Sequence, residues 1–329
     1  MAERHVCFVR RTLVGVLVGA LVASRPASAE LTESAQLDGF AHPVRSLAFD
    51  HTGSFLAVGS GYLTATRAGG TLRLIRLDGK RVVARFNLQG PCNAVVLSGD
   101  RLAAVAAGHR DLRVFDLEAH RLRGILNSGA HTFDQVVTTP DGRWVIAPSR
   151  GPGINHLHVW DMKNLRLRQR LPAGSGAVAL STDGRTVAMG EEGGPIRLLR
   201  TGTWKPVAKL GSKGPASRAV RLLRFSPDAG RLMAWDSGAA VIWNVEAGAI
   251  AARLTPAPRT IHDAVFSLDG ARLITAGDDI AIWDTSTGKL QSRRKAHRGG
   301  VLALALSPDG RRLASGGDYD QKVVVWNLP

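Results

Sequence analysis

One short turn recurs along this 329-residue chain, and its recurrence limits the fold more than any other feature. Its clearest copy is Ser307-Pro308-Asp309-Gly310, set between the apolar runs 301–306 and 313–316. Proline presets φ there, and Asp and Gly tolerate a left-handed corner. The relatives are Asp50-His51-Thr52-Gly53, Ser98-Gly99-Asp100, Thr139-Pro140-Asp141-Gly142, Ser181-Thr182-Asp183-Gly184, Ser226-Pro227-Asp228-Ala229-Gly230 and Ser267-Leu268-Asp269-Gly270. Their glycines are spaced by 46, 43, 42, 46, 40 and 40 residues. A period of about 40–45 residues, with four strands per unit, is the propeller period.

Each turn leads into a similar second half. A short run such as Leu273-Ile274-Thr275-Ala276-Gly277 reaches a polar turn, and a β-branched strand then ends in an aromatic and an Asp or Asn. Those endings are Phe115-Asp116, Trp160-Asp161, Trp243-Asn244, Trp283-Asp284 and Trp326-Asn327; the first and fourth units have Ile75-Arg76 and Leu199-Arg200. The pattern resembles the WD-repeat (WD40) β-propeller family over residues 37–328. The expected fold is all-β, a seven-bladed β-propeller of four-stranded antiparallel blades. The last unit runs out after three strands, so residues 31–40 are expected to supply its fourth and remove the open edges.

Residues 1–29 read as a targeting signal, and residues 30–329 as the propeller. Arg4, Arg10 and Arg11 precede an apolar stretch of 13 residues, 12–24, which is short for a bilayer span. Ala27-Ser28-Ala29 has the small-x-small form of a signal-peptidase site. Arg10-Arg11 resembles a twin-arginine export pair, although Val9 stands where that class has Ser or Thr; an ordinary secretory signal is the other reading. Both place the mature chain in the periplasm or outside the cell, without a membrane segment. It keeps one cysteine, Cys92, expected as a buried, inert thiol in an apolar strand.

The precursor carries a net charge of +16; the signal holds four Arg and one Glu, which leaves +13. That balance favours an acidic protein or peptide partner. No dense basic run with interleaved aromatics is present, which argues against nucleic acid. Residues 61–70 and 151–156 read as insertions between second and third strands.

The repeat also serves as a coordinate system. Six residues before each turn stand Val44, Cys92, Phe133, Ser175, Val220, Ile261 and Val301, a core-facing column. One residue later stand Arg45, Asn93, Asp134, Gly176, Arg221, His262 and Leu302. In WD-repeat proteins this second position lies near the mouth of the central channel. The resemblance therefore implies Arg45, Asn93, Asp134, Arg221 and His262 as partner-binding residues on that rim, or as side chains that solvate a water-filled channel. The family's structural network maps onto His297, Ser315, Asp320 and Trp326, and in part onto Thr275 and Trp283. It joins blades and is not a catalytic triad.

His156 and His158 lack a third nearby ligand and read as surface histidines. No nucleotide loop, zinc-protease motif or haem-attachment motif is present, so neither cofactor nor metal is expected. The functional expectation is a monomeric, non-enzymatic interaction module. The alternative is a periplasmic redox or hydrolytic propeller, or a subunit of one, with a metal or quinone cofactor.

Overall fold

The computed structural model describes residues 31–328, except 64–67, 99–102, 108–110, 128, 130–131, 151–154 and 212–218. The signal segment, the Gly99-Asp100 corner of the second unit, parts of both insertions and Pro329 lie outside the described residues. The sheets are antiparallel, with their strands joined in chain order, and lie side by side around a channel. Apolar clusters fill the gaps between neighbouring sheets. The six-back column lies in those gaps: Val44, Cys92, Phe133 and Val301 are fully buried, and Ser175, Val220 and Ile261 nearly so. Among the described residues, no helix is long and apolar enough to cross a membrane.

Six blades are four-stranded, not seven. The remaining sheet, within residues 132–172, has five strands. Its innermost strand is split into Thr132–Phe133 and Val137–Thr138, both paired with Trp144–Arg150. Pro148, in that second strand, offers no N–H to a ladder. Opposite it, residues 134–136 leave the sheet, and the side chains of Asp134 and Gln135 turn to other blades.

The N-terminal strand Thr32–Leu37 completes the last blade. It runs antiparallel to Val323–Asn327, with Thr32 opposite Asn327 and Leu37 opposite Val323. Across the same seam, Arg312 Nη2 donates to the Gly53 carbonyl at 2.7 Å.

The recurring turn is a closed hydrogen-bonded unit. In five copies the Ser or Thr hydroxyl donates to the Asp carboxylate at 2.5–2.6 Å and accepts the amide five residues on. The first copy exchanges the roles: Thr52 Oγ1 donates to Asp50 Oδ2, and Asp50 Oδ1 accepts the Phe55 amide. The corner is left-handed at Gly142, Gly184, Gly270 and Gly310. In the fifth unit it falls on Ala229, with φ 57°, and not on Gly230, so the glycine spacing overstates that step by one residue. In the first insertion, residues 61–63 and 68–70 lengthen a hairpin, Phe55–Leu63 against Ala68–Arg76, in which pairing continues to Leu63 and Ala68.

These turns predict an acid sensitivity. The hydroxyl donors hold Asp141, Asp183, Asp228, Asp269 and Asp309 below the usual carboxylate range. Ser286 and Thr287 hydroxyls hold Asp284 at about 2. Each group binds its proton more weakly folded than unfolded, so its contribution is complete above about pH 4 and is lost as pH falls toward 2. Melting temperatures should fall steeply below about pH 4. An Asp284→Asn variant should show a shallower fall; an unchanged slope would refute its share.

Candidate functional site: the channel mouth

A cavity of about 460 Å³ occupies the channel. Arg45, Asn93, Asp134 and His262 line it, from the first, second, third and sixth units; Leu302 and Leu304 make its wall apolar on the last blade. Arg221 is exposed and is not among the lining residues. Four of the five rim residues are thus brought together.

Much of this polarity is used between blades. Asn93 Nδ2 donates to Asp134 Oδ1 at 3.1 Å. Arg45 Nε donates to the Gly61 carbonyl at 2.9 Å, within its own blade. Gln135 reaches past one blade: its amide nitrogen donates to the Arg221 carbonyl at 3.0 Å, and its oxygen accepts the Val178 amide at 3.1 Å. Arg224 pairs with Asp263 at 2.6 Å and donates to the Leu223 and Ala264 carbonyls. The other Asp263 oxygen accepts the Leu304 amide at 2.9 Å. Ser46 Oγ donates to the Cys92 carbonyl. Ser46, Gln135 and Asp263, each four residues before its turn, therefore brace the inner ring together with Arg224. A register shift after Val44 breaks the alternation in the first blade, and the split inner strand breaks it in the third, so Ser46 and Gln135 escaped the rim column; Asp263, with no shift in its blade, stands one residue past His262.

Arg45 and His262 remain the rim groups with capacity for a partner. Among the described residues, no hydrogen bond engages the terminal nitrogens of Arg45. His262 keeps solvent access, yet the surrounding protein disfavours its imidazolium. This pushes its pKa below 6.5, against the pull of Asp318, Asp278 and Asp263. It is a neutral donor and acceptor near pH 7. Next to Arg45's acceptor, the rings of His42 and Tyr62 lie 4.3 Å apart.

The last blade holds the hydrogen-bonded chain mapped in the sequence. His297 Nδ1 faces Asp320 at 3.0 Å, His297 Nε2 faces Ser315 Oγ at 2.7 Å, and Trp326 Nε1 donates to Ser315 Oγ at 2.8 Å. Trp283 Nε1 likewise donates to Thr275 Oγ1 at 2.9 Å. All of these side chains except Asp320 are buried, which suits a blade brace.

The hydroxyl stands two residues past the tryptophan's cross-strand partner. In the third and fifth units that place is Ala147 and Ala234, and the Trp160 and Trp243 indole nitrogens are buried without a hydrogen-bond partner. Ala234→Ser should supply the missing acceptor and raise stability by about 1 kcal/mol, read as a higher melting temperature. A neutral or negative change would show that the indole cannot reach it.

His158 is not a surface residue. It is 1% exposed and stacks on Trp160 at 5.4 Å, because it alternates onto the face that packs on Phe133. His156 is half-buried, with its ring 5.9 Å from that of His158. Among the described residues, no group of three His, Cys, Asp or Glu is placed to hold a metal ion. Cys92 sits two residues before the strand Ala94–Ser98 and not within it. Burial pushes its thiol up to about 12, which leaves it unreactive near neutral pH.

Comparison with known proteins follows the same strands. The WD domain, G-beta repeat family matches residues 33–74 and 288–327. Those two stretches match WD40 repeats. Each matched stretch begins on an outer strand and continues through the three inner strands of the next blade, as the closing strand requires. The intraflagellar transport protein 122 homolog of Mus musculus is 38% identical over 71 residues, 21% of this chain and 6% of that protein. The echinoderm microtubule-associated protein-like 2 of Mus musculus is 26% identical over 187 residues, 52% of this chain and 28% of that protein. A chromatin assembly factor 1 subunit FAS2 homolog of Oryza sativa is 32% identical over 108 residues, 30% of this chain and 21% of that protein. The chain thus spans a small part of each of these relatives.

Proposed function

We propose that this chain is an exported, non-enzymatic interaction module whose channel mouth binds an acidic segment of another protein in the periplasm. The observation that carries the reading is the convergence of Arg45, Asn93, Asp134 and His262, from four units, on one cavity. Asn93 and Asp134 shape the rim, Arg45 supplies charge-assisted donors, and neutral His262 adds a hydrogen bond. The net positive charge steers acidic partners toward the ring. Two relatives are named for transport and chromatin assembly, roles that suit a surface for other proteins.

The test is a pull-down from periplasmic extract with the mature protein beside a folded Arg45→Glu, His262→Ala variant. A partner recovered by the wild type and depleted at least tenfold by the variant supports the reading, as does affinity that weakens with salt. A partner retained by the variant moves the site away from the channel mouth.

A further inference from the structure

Where the ring closes, the first blade buries an arginine without a counter-charge. Arg73 lies in its third strand and is 9% exposed. Its guanidinium lies over the Phe40 ring at 4.8 Å, on the link from the closing strand. Its Nε is buried with no hydrogen-bond partner, and no ion pair reaches it among the described residues. Directly opposite, in the fourth strand Arg81–Leu88, stands exposed Arg85. The two are cross-strand partners, so their side chains share one face. Thr71 and Asn87 are the next pair along that face. Asp38, which follows the closing strand, accepts from Gln36 and pairs with Lys322.

A buried cation without a partner is costly, and like charges directly opposite each other add to the cost. Burial and Arg85 together oppose the charged form of Arg73, yet a guanidinium stays protonated at neutral pH. The fold thus holds two forked donors side by side, with no counter-charge paired to either among the described residues. Phe40 fixes the plane of one, and Arg85 remains free to swing. Such an arrangement matches a planar or tetrahedral oxyanion, which takes two parallel N–H bonds from each guanidinium.

We propose that Arg73 and Arg85, backed by Phe40, form an oxyanion site at the closure seam, for a phosphate or carboxylate group carried by a ligand or partner. The site lies on the outer part of the ring, apart from the channel mouth, and does not depend on that reading.

The probes are inorganic phosphate and acetate. Each is titrated into the full mature protein at fixed ionic strength, with sodium chloride as the balancing salt, and followed by melting temperature and calorimetry. A saturable response to phosphate alone assigns a phosphate group; a response to both assigns a general oxyanion site. Arg85→Ala and Arg73→Met should each weaken binding at least tenfold, while Arg123→Ala, an exposed arginine on another blade, should not. Without anion, Arg85→Ala should melt at or above the wild type, because it removes repulsion and no contact. No response to either anion, or the wild-type response retained in Arg85→Ala, overturns the proposal. So does an Arg85→Ala variant that melts lower with its anion response intact, the behaviour of a structural arginine.

Discussion

A chain that begins at Asp38, without the strand Thr32–Leu37, should fail to hold the closed ring. That strand pairs along the whole of Val323–Asn327, and the Ser34 hydroxyl donates to the Val325 carbonyl at 3.0 Å. Leu31 and Leu37, 3% and 5% exposed, sit in the clusters on either side of the last blade. Removing two buried leucines costs about 2–5 kcal/mol each. The sum is comparable with the whole stability of an ordinary domain, about 5–15 kcal/mol. The truncation would also bare Val323, Val324 and Val325 as a flat β-branched edge, a template for pairing with other chains. Size-exclusion chromatography should show oligomers, and thermal melting should lose its cooperative transition or drop by more than 10 °C, given roughly 2–4 °C per kcal/mol for large domains. A synthetic peptide of residues 31–40 should restore a monomer. A truncated protein that stays monomeric and melts within a few degrees of the full chain would refute the role of closure.

The second large effect is expected at Ser315. Its hydroxyl serves the Trp326 indole and His297 Nε2 at once, inside a fully buried cluster. Ser315→Ala leaves both without a partner, at about 1–3 kcal/mol for each buried polar group. A loss of about 2–4 kcal/mol in chemical denaturation follows. Trp326→Phe keeps the Ser315–His297 contact and should cost less through this network, though it also loses packing against the Arg294 guanidinium 5.1 Å away. A change under 1 kcal/mol in Ser315→Ala would mean that water takes over both bonds.

The repeating turn, the third-strand tryptophans and the hydroxyl partners of two of them were legible in the chain because each is a local pattern. Spacing alone places Ser315 beside Trp326, since a strand period of two and a hairpin register relate them. The closing strand was legible too, because a three-stranded last unit must find a fourth. The split strand at residues 134–136 was not read, although Pro148 signals it. The rim was legible in part: the count found four cavity-lining residues and also Arg221, which is not among them. It missed Gln135, Arg224 and Asp263, whose partners lie 86, 39 and 41 residues away.

The sequence by itself determined the all-β repeat, the chemistry of its turns and where its ends meet. Those features depend on φ preferences, alternation and period, which act over a few residues. Only the tertiary structure decided the number of four-stranded blades, which polar groups brace the inner ring, which stay available at its mouth, and that Arg73 is buried against Phe40 with Arg85 as its neighbour. Burial and charge pairing depend on contacts across blades that no local pattern encodes, so the same arginine reads alike in the sequence whether it faces water or another cation.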